Sequence, residues 1–192
     1  MQKLQTTFLA AFCWLLLSFC QLNTSAAQTP GFISSQSASW ADSIFNTLSY
    51  EEKIGQLFMV DAYSNRDSAH VRFIDSLVTQ YHIGGIIFFQ GGPVRQALLT
   101  NRYQSKAKVP LLIGIDGEWG LSMRLDSTIR FPRQMTLGAT GSDSLIYEMG
   151  VEIGRQCKRM GLHTNFAPVA DVNNNPLNPV INSRSFGEDK VK

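Results

Sequence analysis

Two runs in the chain, GGIIFF at residues 84–89 and LLIGID at 111–116, are apolar at almost every position instead of at every second one. A strand with one wet face alternates with period two, whereas an unbroken apolar run marks a strand covered on both faces, the signature of a parallel sheet between helical layers. Parallel neighbours need long crossover connections, and the intervening segments supply them. Residues 68–80 carry Val71, Ile74, Leu77 and Val78 at helical spacing, and a second polar helical segment covers Val94 to Ser105. Upstream, SYEE at 49–52 matches a capping box with Ser49 as N-cap and Glu52 at N3, and Leu57 to Ala62 reads as a first strand. Downstream, Asp143 is expected to cap a longer helix with Leu145, Ile146, Met149, Ile153, Cys157 and Met160 on one face. Gly161 stops it, and HTNFAPV at 163–169 begins a fourth strand. Repeated β/α units leave an α/β fold of two kinds, a doubly wound sheet or a (β/α)8 barrel. The first strand-to-helix connection lacks a G-x-G-x-x-G phosphate turn, which weighs against a dinucleotide fold.

Residues 1–27 read as a signal peptide: Lys3, an apolar run from Phe8 to Phe19, then the small residues Ser25, Ala26 and Ala27. The run is about a dozen residues where a spanning helix needs about 20. The protein is therefore expected to be exported, periplasmic or extracellular, without stable membrane insertion after cleavage. Residues 28–39, QTPGFISSQSAS, read as a flexible leader, and 40–192 as the folded part. Cys13 and Cys20 fall in the signal, so the remaining Cys157 has no intrachain partner and the core must hold the fold unaided. On the apolar face of a helix, Cys157 reads as a packed thiol. A net charge of +2 with no run of like charges points away from nucleic acid. No histidine pair has metal-ligand spacing and no cysteine cluster exists, so neither metal nor cofactor is expected. His70, His82 and His163 read as surface or structural residues away from the C-terminal mouth of the strands. Ser105 and Lys108 form S-x-x-K, but in a polar link before a strand, where chance is the better explanation.

In a parallel barrel, chemistry gathers at the C-terminal ends of the strands. Asp116 ends the third strand and Glu118 follows it, with Trp119 and Arg124 close by, while Asp171, Asn173, Asn174 and Asn175 follow the fourth. Carboxylates accept hydroxyl hydrogen bonds, an Arg fork donates two, and an aromatic ring covers an apolar face. This set describes a site for a ligand rich in hydroxyls. From the residues alone, a helix N-cap is the lesser reading of Asp116, while Trp119 is equally readable as a packed loop residue and Asp171 as an Asx turn.

KIGQLFM (53–59), GGIIFF (84–89), PLLIGIDGEWGLSMRL (110–125), FPRQMTLGA (131–139) and GLHTNFAPVADVNNNP continuing to VINSRSFGED (161–189) together resemble the N-terminal domain of glycoside hydrolase family 3. The resemblance implies a TIM (β/α)8 barrel, of which residues 40–192 carry roughly the first four β/α units. VINSRSFGED stands where the β-glucosidase members carry a DPRWGR-like segment, which is similar to the β-N-acetylhexosaminidase branch. The implied reaction of the full-length protein is hydrolysis, with retention, of terminal β-linked N-acetylglucosamine from a carbohydrate such as peptidoglycan fragments or chito-oligosaccharides. The alternatives are a β-glucosidase of the same family and a non-catalytic carbohydrate-binding remnant. By resemblance, Asp116 binds hydroxyls of the nonreducing-end sugar and Arg124 and Arg184 line the same subsite. Glu118, Trp119 and Asp171 complete the expected substrate-binding set. One departure is visible: the family's D-x-E-G-G is D-G-E-W-G here, and Trp119 is a candidate stacking wall. The aspartate nucleophile and the His and Asp acid/base pair are expected beyond Lys192, which leaves no catalytic residue within the chain. A barrel of about 250 residues would be half complete at that point. The chain is thus expected to be a fragment, inactive alone, that aggregates or stays partly unfolded.

Overall fold

A computed structural model describes residues 34–191, so the signal-peptide reading of 1–27 lies outside the described residues. Residues 35–39, expected in a flexible leader, instead begin a helix, α1 (Ser35–Phe45). The compact unit that carries the sheet spans Ile44–Lys192. Its elements run α2 (Tyr50–Gly55), β1 (Met59–Tyr63), α3 (Ser68–Gln80), β2 (Gly85–Gln90), α4 (Pro93–Lys106), β3 (Leu112–Ile115), α5 (Gln134–Ala139), α6 (Asp143–Arg159) and β4 (Thr164–Asn165). Short 3-10 turns occupy Leu121–Met123 and Asn182–Arg184.

The helices start where local chemistry satisfies their first free N–H groups. The Ser49 hydroxyl accepts from Glu52 N at 3.2 Å while the Glu52 carboxylate accepts from Ser49 N at 2.9 Å, closing the expected capping box. The Asp67 carboxylate caps α3 by accepting from His70 N at 3.1 Å, and α4 opens with Pro93 at a position that has no N–H to lose. The longer helix differs from expectation by one residue: Ser142 is its cap, accepting from Leu145 N, and Asp143 is the first helical residue.

All four strands are parallel, in the order β1-β2-β3-β4. In register, Ala62 lies beside Phe88 and Phe88 beside Ile115, while Ile86 lies beside Ile113. These residues face α3 and α4, and with Ile74, Val78 and Tyr103 they form the buried core. Each aliphatic or aromatic side chain sealed there contributes about 1.5–3 kcal/mol relative to exposure. No residue of β2 from Gly85 to Phe89 is exposed and Ile113 to Ile115 are buried, as their unbroken apolar runs implied, but the face turned away from α3 and α4 is incompletely covered. On the opposite face Asp61 is exposed and Leu112 retains 47 % of its surface. Coverage there comes from Met59 and Phe166, which lie close enough that a Cβ at Gly85 or Gly114 would sit 2.8 Å from the Met59 methyl or 3.0 Å from the Phe166 ring.

The fourth strand is far shorter than the expected 163–169, because only Thr164 and Asn165 pair with β3. Beside it and α6 runs a groove of about 660 Å3 lined by Gly117, Ile153, Cys157, Thr164 and Phe186. Cys157 is buried, as a packed thiol should be, and burial pushes its pKa up. Leu145, assigned to the apolar face of α6, is instead half exposed, and burial is concentrated at Ile153 and Cys157. No helix among the described residues is long and apolar enough to cross a membrane.

Candidate functional site

The stretch after β3 is folded back on the strand ends by a few specific contacts. The side-chain amide of Asn165, at the end of β4, donates to Gly117 O at 3.2 Å and accepts from Gly117 N at 2.9 Å. This clamp leaves Asp116 at the mouth of the sheet. Gly120 then turns the chain with φ of +87°, and a Cβ there would meet the Phe131 ring at 2.7 Å, so the turn needs glycine on both counts. The Gln134 amide at the start of α5 donates to Glu118 O at 2.7 Å and ties the other side of the loop down.

Two arginine–carboxylate pairs stand on this frame. Arg124 Nε donates to Asp116 O at 2.8 Å, and its Nη2 pairs with the Asp116 carboxylate. The Arg124 backbone is itself fixed to the end of β2, since Gly91 N donates to Arg124 O and Asp126 N donates to Gly91 O. Its guanidinium lies 4.6 Å from the centre of the Phe89 ring, within cation–π range. The second pair joins Arg184, in the Asn182–Arg184 turn, to Glu118. Arg184 Nε lies 3.0 Å from both Glu118 oxygens and its Nη2 donates to Oε1 at 2.5 Å. That hydrogen bond raises the Arg184 pKa above its already high ordinary value, so the group is charged throughout the accessible pH range.

The structure therefore brings Asp116, Arg124, Glu118 and Arg184 together at one end of the sheet. Asp116 caps no helix, since the turn at Leu121–Met123 begins after Gly120. Glu118, expected to bind a ligand, has its carboxylate only 2 % exposed and engaged by Arg184, so it is closed to hydroxyls from solvent. Trp119 is half-buried with the Arg133 guanidinium 4.7 Å from its ring, so its stacking partner here is an arginine. Arg133 also donates to the Ser183 hydroxyl at 2.9 Å, next to Arg184. Asp171 is exposed and near enough to Arg184 to contribute to its charge stabilisation, while its backbone carbonyl accepts from the Ser185 hydroxyl at 2.7 Å.

Three residues of this end escaped the sequence analysis. Tyr63 ends β1, Phe89 is the last residue but one of β2, the two rings lie tilted 6.3 Å apart, and the Arg66 guanidinium sits 3.5 Å over Tyr63. Their signal was position: each lies at or beyond the C-terminal end of a strand. His70 was placed away from the mouth because it lies in a helix. Yet the first turn of α3 packs against the end of β1, and His70 Nε2 accepts from Tyr63 N at 3.1 Å. The other two histidines are at the opposite end, as expected: His163 Nδ1 accepts from Ile113 N, and His82 lies 3.5 Å from Glu52. Ser105 and Lys108 do not form a site, since the Ser105 hydroxyl donates to Arg102 O and Lys108 pairs with Glu52.

An open α/β sheet with carboxylates, arginines and aromatic rings at its C-terminal edge is the frame of a barrel enzyme's ligand end. The profile of the glycosyl hydrolase family 3 N-terminal domain matches residues 49–192, and the chain belongs to this family. It is 31% identical over 150 residues to a β-N-acetylglucosaminidase/β-glucosidase of Cellulomonas fimi, covering 78% of this chain and 26% of that protein. It is 37% identical over 128 residues to β-hexosaminidase A of Pseudoalteromonas piscicida, covering 60% of this chain and 21% of that protein. Among solved structures, β-glucoside phosphorylase BglX bound to 2FGlc superposes with a TM-score of 0.76 over 83% of this chain and 28% of that one, at 24% identity. The chain thus spans about a quarter of the length of these relatives. Its four parallel strands and the helices between them form part of the family's TIM-barrel-like domain.

Proposed function

We propose that the full-length protein hydrolyses terminal β-linked N-acetylglucosamine from glycans, and that Asp116, Arg124 and Arg184 form the subsite for the nonreducing-end sugar. The observation that carries this is the placement of two arginine–carboxylate pairs at the C-terminal end of the sheet, rooted in one short stretch after β3. The names of the hexosaminidase relatives support the choice of sugar. Asp116 retains solvent access beside Arg124 and can accept hydroxyl hydrogen bonds that strengthen towards an oxocarbenium-like transition state. Retention through an aspartate nucleophile, with a His and Asp pair moving the proton, belongs to the same proposal and is what the family resemblance implies. Export to the periplasm or cell exterior belongs to the same proposal and rests on the character of residues 1–27.

The test is an assay of the full-length protein on an aryl N-acetyl-β-glucosaminide and an aryl β-glucoside. Turnover of the first with little of the second is expected, and the reverse preference would move the protein to the β-glucosidase reading. In the same assay Asp116→Ala should lower kcat/KM about a hundredfold, equivalent to roughly 3 kcal/mol of transition-state stabilisation. Unchanged kinetics would remove Asp116 from the sugar subsite.

A further inference from the structure

Glu118 and Arg184 are bound to each other but not equally exposed. The Glu118 side chain is 2 % exposed whereas that of Arg184 is 34 % exposed. A guanidinium has five N–H groups in a fixed plane. Nε–H and one Nη2–H go to Glu118, and one Nη1–H goes to Val180 O at 3.2 Å. One N–H on each terminal nitrogen is left over. The carboxylate has the opposite character: both oxygens lie against the arginine, in a place that water scarcely reaches.

We infer that Glu118 is a positioning residue, a sealed carboxylate that sets the plane of Arg184 so that its two spare N–H groups face the sugar, without itself touching the ligand. The inference rests on the subsite proposed above and adds to it the group that orients one of its arms. Three features support the assignment. A carboxylate removed from water is costly unless it is paired in good geometry, so Glu118 and Arg184 hold each other strongly. The Glu118 backbone is fixed by Gln134 Nε2 at its carbonyl and by Met123 Sδ at its N–H, so the carboxylate is anchored from the β3 side. Arg133 reaches from its stack on Trp119 to the Ser183 hydroxyl, tying the residue next to Arg184 to the same loop. The tryptophan that departs from the family pattern thus forms part of a second tether on the Arg184 turn.

The experiment is a double-mutant cycle on the full-length protein, with kcat and KM for the aryl N-acetyl-β-glucosaminide and the melting temperature measured for wild type, Glu118→Gln, Arg184→Met and the double variant. If Glu118 acts through Arg184 alone, Glu118→Gln lowers kcat/KM about tenfold in the wild-type background and less than about twofold where Arg184 is already methionine. Glu118→Asp, which keeps a charge for Arg184 but withdraws it by one methylene, recovers part of the loss and is the independent variant if the glutamine protein does not fold. Additive losses in the cycle would overturn the inference, since Glu118 would then act on the ligand independently of Arg184. A fall in melting temperature with kcat/KM unchanged would also overturn it, reducing Glu118 to a structural role. If Arg184→Met alone leaves kcat/KM at the wild-type value, the subsite itself is misplaced; that outcome is separate from an impaired Arg184→Met with an additive Glu118.

Discussion

His70 shows how a single side chain can report on the mouth of the sheet. Its Nε2 accepts a hydrogen bond from Tyr63 N, a role open only to the neutral ring. Burial lowers its pKa, and the nearby positive charge of Arg66 lowers it further. A histidine whose folded pKa is depressed contributes stability that is complete above its unfolded pKa of about 6.5 and is lost as pH falls through the folded value. An NMR titration of the full-length protein should therefore place the His70 midpoint below about 6.5, with the Tyr63 amide resonance moving in the same step. A midpoint above that value would mean that the ring is not the acceptor. The sequence reading placed His70 away from the mouth, and the reason it lies there is topological: the first turn of a crossover helix sits at the same end of the sheet as the end of the strand before it. Glu118 was found as a residue of this end, but its burial under Arg184 was not. Nothing in a linear pattern tells that its partner, 66 residues further along, closes over it.

Most of the helices were legible because their ends carry their own chemistry. Ser49 with Glu52, and Gly161, mark boundaries that the structure reproduces to within a residue or two. The strand ends were less so. β4 is cut short after Asn165, in a stretch where His163 to Val169 had read as one strand, because the pairing partner, not the apolar composition, decides where a strand stops. A contact between elements that no pattern announced is the cluster at Asp75, on α3. Arg102 donates to it at 2.5 Å and Lys106 at 2.7 Å, both from α4. Burial pushes the Asp75 carboxyl up, but the hydrogen bonds from Arg102 and Lys106 outweigh it and hold its pKa below the ordinary carboxylate value. The sign follows: this stability is present above an unfolded pKa of about 3.9 and is lost as pH falls through the lower folded value. Asp75→Asn should cost about 1–2 kcal/mol at neutral pH, kept small by the partial exposure of both cations. In thermal melts of the full-length protein, the gap between variant and wild type should close below about pH 4. A gap that persists in acid would show that packing, and not charge, is what the substitution removed.

For the molecule as a whole, protection should follow position in the sheet. β2 and β3 have partners on both sides, whereas β4 is paired only through Thr164 and Asn165 and lies beside the open groove. Hydrogen exchange on this chain should find the amides of Ile86 to Phe88 slowest and those of Thr164 to Phe166 faster, since local opening is governed by the contacts that must be broken. Uniform exchange across the four strands would mean that the sheet opens as one unit. The two arginine pairs also differ in how far apart their members lie along the chain: Asp116 and Arg124 are 8 residues apart, Glu118 and Arg184 are 66 apart. Loop-closure entropy rises with the logarithm of that separation, so the second pair costs roughly 2 kcal/mol more to bring together from an open chain. During folding, one arm of the site is therefore set as soon as the β3 loop forms, while the other waits for α6 and β4 to dock. A protein caught between these two moments would present the Asp116–Arg124 pair without the Glu118–Arg184 pair.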